Sequence, residues 1–277
     1  MKILVTGGTG FLGTAMVHKL LAEGHHIILA VRNVEKAKLE FRDAKLTIIQ
    51  FDFKAIDYKL DLYQYFHRPD SLLHLAWSGL PNYKSINHII DNIPYQCLFL
   101  NNLISNGLCD CNITGSCLEY GLQEGELDVA IETNPTTPYG QAKVAIYKYV
   151  ATLQERYSFK LKWMRLFYVY SVNQGERSLY GQMNRAIINS DKVFNMSGGQ
   201  QWRDFSSLEE MVEMIYIGIK KDSKHALVNC CSGIKTKVED FVRNYFESEN
   251  YKIELNLGYY PYPDYEPMAF WGRKENI

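Results

Sequence analysis

The sequence predicts an α/β protein: a doubly wound parallel sheet carrying a smaller C-terminal lobe. Three observations lead there. Short apolar runs alternate with helical stretches over the first 170 residues, the pattern of a parallel sheet covered on both faces. A glycine-rich turn links the first run to the first helix. Beyond residue 171 the alternation weakens, and a lobe of different construction is expected over 171–277.

The elements follow in order. Residues 2–5 are an apolar first strand. Residues 13–23 carry Ala15, Met16, Leu20 and Leu21 at helical spacing, and Gly24 ends that helix. Residues 27–31 supply a second strand and complete a βαβ unit. A third strand is expected at 45–51, a helical stretch around 60–66 and a fourth strand at 71–76. A long helix spans 89–104, with Pro94 either kinking it or lying near its start. Residues 112–116 read as a strand, 139–157 as a long helix and 160–167 as a sixth strand. Helices near 182–189, 207–220 and 237–248 and a strand near 226–230 complete the reading. Part of the C-terminal lobe is expected to return to the main domain.

Composition narrows the function. The 277 residues fit one large domain or two coupled ones. Apolar residues make up 47% and charged residues 22%, which excludes a disordered chain. Thirty basic and 31 acidic residues leave a net charge of -1 with no block of one sign, so neither nucleic acid nor an anionic membrane is an expected partner. No apolar run approaches the roughly 18 residues a membrane span needs. The apolar N-terminal run is broken at Thr6, unlike a secretory leader, and a cytoplasmic location is expected. The six cysteines form no CxxC pair and the seven histidines no ligand-spaced cluster, so free thiols and no metal are expected.

Residues 6–13 read Thr-Gly-Gly-Thr-Gly-Phe-Leu-Gly. Gly8, Gly10 and Gly13 fit one dinucleotide-binding spacing, and Gly7, Gly10 and Gly13 fit another. The position between strand and helix is the one such a motif requires: glycines let the backbone approach a pyrophosphate, and the helix N-terminus offers free N–H groups. Gly7, Thr9, Gly10, Phe11, Leu12 and Gly13 are therefore expected to bind the cofactor, and residues 1–170 to form a dinucleotide-binding domain. The second strand ends in Arg32 where an NAD site usually carries an acid, which points to NADP(H), with NAD(H) the alternative. Asp52, followed by Phe53, is placed to meet the adenine amino group or to cap its own loop.

Tyr139 and Lys143 lie four residues apart, on one face of a helix. A free phenol has a pKa of about 10. A neighbouring ammonium is expected to lower it, so that the Tyr can exchange a proton with a carbonyl oxygen while hydride moves at the adjacent carbon. Ser116, ending the strand 23 residues upstream, would polarise the same oxygen.

With these motifs in place, the chain resembles the extended short-chain dehydrogenase/reductases, the NAD-dependent epimerase/dehydratase family, in the branch that modifies nucleotide-activated sugars. The matching segments, in order, are residues 6–13, His74-Leu-Ala76, Ser116-Cys-Leu-Glu-Tyr120-Gly121, Pro138-Tyr-Gly-Gln-Ala-Lys143, Arg165-Leu-Phe-Tyr-Val-Tyr170 and Trp202-Arg-Asp-Phe205. The resemblance implies a Rossmann fold with Ser116, Tyr139 and Lys143 as the catalytic set. It implies that Leu75, Ala76 and Trp77 line the nicotinamide side, that Asn92 sits near the active site, and that Arg203 contacts the substrate diphosphate or ribose. Trp77, Cys117 and Tyr168 would meet the substrate.

Departures from the family pattern bear on the reaction. Dehydratases carry Asp-Glu after the catalytic hydroxyl residue; here Cys117 and Leu118 stand there, which argues against dehydration. Glu119 lies one residue too far along and reads as a solvated or loop-capping carboxylate. Tyr168 replaces an Asn common in epimerases, and Ser171 replaces a glycine. The tail at 258–272 packs six aromatics and three prolines into 15 residues, either as an extended packed tail or as an aromatic wall for base or sugar. In overall pattern the chain is similar to bacterial reductases of thymidine-diphosphate 4-keto-6-deoxyhexoses, such as the deoxytalose-type 4-dehydrogenases. The resemblance thus implies 4-keto reduction; a 4-epimerase holding its cofactor tightly and a non-catalytic NADP sensor are the alternatives. A homodimer is expected, formed through the helix that carries Tyr139.

Overall fold

A computed structural model describes residues 1–42, 44–55, 57, 59–172 and 174–274. In chain order the larger half contains β1 (Lys2–Thr6), α1 (Phe11–Ala22), β2 (His26–Val31), α2 (Val34–Glu40), β3 (Thr47–Gln50), α3 (Leu62–Tyr65), β4 (Ser71–His74), α4 (Ile93–Ser105), β5 (Asp110–Ser116), β6 (Gly125–Leu127), α5 (Pro138–Leu153) and β7 (Lys160–Leu166). Then follow β8 (Tyr168–Tyr170), α6 (Leu179–Ile188), β9 (Val193–Asn195), β10 (Trp202–Ser207), α7 (Leu208–Lys220), β11 (His225–Cys230), β12 (Lys235–Lys237), α8 (Val238–Ser248), β13 (Glu254–Asn256) and β14 (Phe270–Gly272).

Seven strands form one parallel sheet in the order β11-β7-β5-β4-β1-β2-β3. Side chains alternate between its faces. Ile3 and Val5 of β1 point to a core shared with Met16 and Leu20 of α1 and Met211 and Ile215 of α7. Leu4 points to the opposite core, with Phe99 and Leu103 of α4 and Ile146 of α5. Sequence order reverses between β1 and β4, the kind of switch point at which open α/β sheets bind ligands beyond the carboxyl ends of their strands. A separate cluster around Met183, Phe194, Val242 and Phe246 fills the smaller lobe, whose strands pair as β12-β10-β8 and β13-β9. No helix among the described residues is long and apolar enough to cross a membrane.

Several expected boundaries move. The fourth strand stops at His74 rather than 76, where Ala76 N turns to the Thr6 side chain instead of a strand carbonyl. One π-helical turn, His88–Asn92, precedes α4 and places Pro94 in the first turn of that helix, where its missing N–H costs nothing. The helix expected over 139–157 ends at Leu153, and α6 begins at Leu179. Helix α2 was not expected; the Asn33 side chain starts it by accepting from Lys36 N at 2.9 Å.

Candidate active site

The site begins at the glycine turn after β1. Gly7 has φ +75°, and a Cβ there would lie 2.7 Å from Ala76 N. A Cβ on Gly13 would lie 2.1 Å from Gly7 O. The 7–10–13 frame is thus the one the backbone requires. Gly8 is a packing glycine, its space taken by Leu29 Cδ1. Gly10 opens α1 with no side-chain cap, and no acid stands in the first turn. The first-turn N–H groups therefore keep room for an anion, and the turn fits a pyrophosphate. Thr9 O accepts from Lys36 Nζ at 3.4 Å, while Phe11 and Leu12 pack on the core.

Arg32 stands exposed beyond β2, with no ion-pair partner among the described residues. Asp52 is exposed and its Oδ1 accepts from Lys54 N at 3.0 Å, so it caps its own turn. Phe53 stacks edge-on against Phe99 at 4.9 Å.

From β4, His74 is buried between Thr6 and Gln96. Its Nδ1 accepts from the Thr6 hydroxyl at 2.7 Å, its Nε2–H donates to Gln96 Oε1, and Gln96 Nε2 donates to Ala76 O at 3.2 Å. Burial, then the Lys143 charge, pull His74 down to about 3, so it stays neutral. The backbone of Leu75 and Ala76 is pinned between these contacts and Thr6: Leu75 N donates to Thr6 O at 3.1 Å and Ala76 N to Thr6 Oγ1 at 3.4 Å.

Ser116 ends β5. Its Oγ accepts from Leu118 N at 3.2 Å, and its own N–H donates to Glu119 Oε1 at 2.8 Å. Glu119 does cap this turn, but it is not solvated. It is wholly buried, accepting also from Arg165 Nε at 2.8 Å and Trp163 Nε1 at 3.0 Å. Arg165 Nη1 in turn donates to Tyr120 OH at 2.9 Å. The sheet makes this pairing, since Gly115 and Arg165 are opposite one another in β5 and β7.

Helix α5 is started by Thr137, whose Oγ1 accepts from Gly140 N at 3.1 Å, and by Pro138. Its first turns carry Tyr139 and Lys143, both buried. The Ser116 side chain lies near enough to the Tyr139 phenol to favour its ionised form. Lys143 Nζ donates to Thr114 O at 2.8 Å and lies 5.8 Å from the Tyr139 ring. The expectation that Lys143 lowers the phenol is not met: burial, then the neighbouring Tyr83, push Tyr139 well up. Burial also pulls Lys143 down, to about 7, against the opposing charge of Glu119. Ser116, Tyr139 and Lys143 are thus brought together.

Trp77 sits edge-on to Tyr139 at 5.4 Å. Asn92, in the π turn, accepts from Ser78 Oγ at 2.9 Å and donates to Ser78 O at 3.1 Å. Tyr83, which the sequence reading missed, lies 5.5 Å from the Tyr139 ring and also lines a cavity of 1070 Å³ reaching into the smaller lobe. Tyr168, Arg203, Phe205, Tyr260 and Tyr265 line the same cavity. Arg203 is engaged there by Glu266, Nη2 to Oε2 at 3.0 Å, and Tyr168 donates to Glu266 Oε1 at 2.7 Å. The tail is therefore both packed, through Phe270, and part of the cavity wall. Cys117 is buried, and burial pushes its thiol up. His88 and Glu266 escaped the sequence reading as well. Glu266 had a faint signal, as an acid in an aromatic run; His88 had none.

Comparisons with known proteins agree with this geometry. Residues 3–231 match the NAD dependent epimerase/dehydratase family. A dTDP-6-deoxy-L-talose 4-dehydrogenase (NAD(+)) of Aggregatibacter actinomycetemcomitans is 28% identical, across 99% of this chain and 100% of its own. A GDP-6-deoxy-D-talose 4-dehydrogenase of the same organism is 23% identical, across 92% of this chain and 82% of its own. In fold, the chain is similar to a UDP-N-acetylglucosamine 4-epimerase from Methanobrevibacter ruminantium M1, with a TM-score of 0.85, 20% identity, and coverage of 99% and 90% of the two chains.

Proposed function

The chain belongs to the NAD dependent epimerase/dehydratase family, and from that premise we propose that it reduces the C4 keto group of a nucleotide-activated 6-deoxyhexose, with thymidine diphosphate as the nucleotide part. The observation that carries this reading is the convergence of Ser116, Tyr139 and Lys143 next to Tyr83, which lines the 1070 Å³ cavity. The full-length similarity to a deoxytalose 4-dehydrogenase supports the choice of reaction.

The glycine turn and the N-terminus of α1 would hold the cofactor pyrophosphate, with Asp52 and Phe53 toward the adenine and Leu75, Ala76, Trp77 and Asn92 toward the nicotinamide. The exposed Arg32, without an ion-pair partner among the described residues, supports NADP(H) over NAD(H). When bound, the reduced cofactor supplies a hydride to C4. Tyr139, kept as a neutral phenol by burial, gives its proton to the C4 oxygen, so the carbonyl becomes an alcohol. Ser116 donates to the same oxygen and holds it in place. Lys143 opposes the negative charge that builds on the phenol oxygen. Cys117, Tyr168 and Arg203 would shape the substrate side. Residues 1–170 then serve the cofactor and 171–277 the substrate, with β11 and α7 returned to the larger half. Such a product suits surface-polysaccharide assembly, and a cytoplasmic homodimer is the expected form.

The test is NADPH absorbance with a panel of thymidine-, guanosine- and cytidine-diphosphate 4-keto-6-deoxyhexoses. Stoichiometric loss with one of them is expected. No loss with any, alongside cofactor that stays bound through purification, would replace reduction by 4-epimerisation.

A further inference from the structure

Lys143 is a buried ammonium with no carboxylate within ion-pair distance among the described residues. The groups facing it are Thr114 O from β5, the more distant Glu119 from the turn after β5, neutral His74 from β4, Tyr139 from its own helix, and Trp77. Trp77 is the closest of the rings: Lys143 Nζ lies 4.0 Å from the centroid of its indole. A desolvated ammonium over an indole is the strong case of the cation–π attraction.

The indole is itself fixed. Its Nε1–H donates to His88 Nδ1 at 3.1 Å, and His88 Nε2–H donates to Asn82 O at 2.8 Å, with the His88 ring wholly buried. Tyr139 meets the edges of both rings, at 5.4 Å from Trp77 and 5.3 Å from His88. A fully partnered donor–acceptor chain of this kind sets one ring orientation.

We propose that Trp77 is a positioning residue whose indole face favours the charged form of Lys143 beside Tyr139, standing where an acidic partner would otherwise be needed. This rests on the reading of Tyr139 as the proton donor and Lys143 as the group that steadies it.

Trp77→Phe keeps a π face and removes the N–H. Trp77→Leu removes both, and Trp77→Met makes the same comparison if the leucine variant does not fold. The titration of the Lys143 amine is read by NMR on cofactor-free protein carrying isotope-labelled lysine, with Lys143→Met identifying the signal. Loss of the ring removes an interaction that favours the charged amine, so its pKa falls. The expected drop in Trp77→Leu is roughly one unit, and Trp77→Phe is expected to stay within about half that of the wild type. The alkaline limb of the kcat profile for keto-sugar reduction should move to lower pH by the same amount in Trp77→Leu. An unmoved titration in Trp77→Leu, or an equal fall in Trp77→Phe, overturns the proposal; the latter would assign the effect to the bond with His88. If the wild type reduces no 4-keto sugar, the reductase reading fails, while the amine titration still decides the role of Trp77.

Discussion

Replacing Glu119 by Ala tests whether the buried network behind Ser116 holds the site together. Glu119 is fully buried and receives three donors: Ser116 N at 2.8 Å, Trp163 Nε1 at 3.0 Å and Arg165 Nε at 2.8 Å. Removing one member of a buried ion pair costs ~3–5 kcal/mol, because the remaining charge is left without a partner. The backbone and indole N–H groups lose their acceptor as well, at ~1 kcal/mol or more each where no water replaces it. These losses overlap, and about 5 kcal/mol is a fair total. At roughly 2–4 °C per kcal/mol for a chain of this size class, the melting temperature should fall by roughly 10–20 °C. Calorimetry at pH 7 measures it. A double variant, E119M with R165M, replaces the pair by apolar groups of similar length and should recover most of the loss. A fall of under about 4 °C in E119A, or a double variant no more stable than E119A, would refute the reasoning. Where E119A folds, kcat should still drop at least about tenfold, since Ser116 loses the anchor of its backbone N–H.

Tyr139→Phe should lower kcat by roughly 10²–10⁴ and leave NADPH affinity within about twofold, measured by absorbance and by fluorescence titration; surviving turnover would remove Tyr139 from the mechanism. Arg32→Ala should weaken NADPH about tenfold more than NADH, because the guanidinium would meet only the 2′-phosphate. Equal loss for both cofactors would end that assignment. Light scattering on the purified protein should give twice the chain mass; a monomer would refute the dimer.

Much of the fold was legible because its signals are local. The glycine turn, the periodic helices and the alternation of strand with helix each lie within a few dozen residues. The strands of the smaller lobe were not legible, for a physical reason. Apart from β10, they are three residues long and pair with distant segments: β14 sets Phe270 against Gly125, and β13 sets Glu254 against Val193. Nothing in a three-residue window carries such a partner. The site divides in the same way. Tyr139 and Lys143 are visible because helical spacing alone aligns them. That Glu119 caps its turn was legible, but its burial was not, because its partners, Trp163 and Arg165, reach it only when β5 and β7 lie side by side. The rise in the Tyr139 pKa was invisible too, since it comes from burial, which the spacing of two residues does not report.

The strand order explains why the polar residues gather at one end of the sheet. Thr6 and His74 close their strands as register partners, and Ser116 closes β5, the next strand over, opposite Leu166. Their side chains, with Gln96, Glu119, Lys143 and Arg165, are all buried. Burying that many polar groups is unfavourable unless each is satisfied, and a half-satisfied network is worse than an apolar core. Most of these groups are engaged on both sides: His74 between Thr6 and Gln96, Glu119 between Ser116 and Arg165. Lys143 differs. An ammonium has three donors, and one goes to Thr114 O at 2.8 Å while the indole of Trp77 covers another side. Among the described residues, that leaves one donor of Lys143 for atoms the protein does not itself supply. Under the proposed reduction that donor would grip a ribose hydroxyl and steady the phenol oxygen, and it belongs to the residue that helical spacing alone had set beside Tyr139.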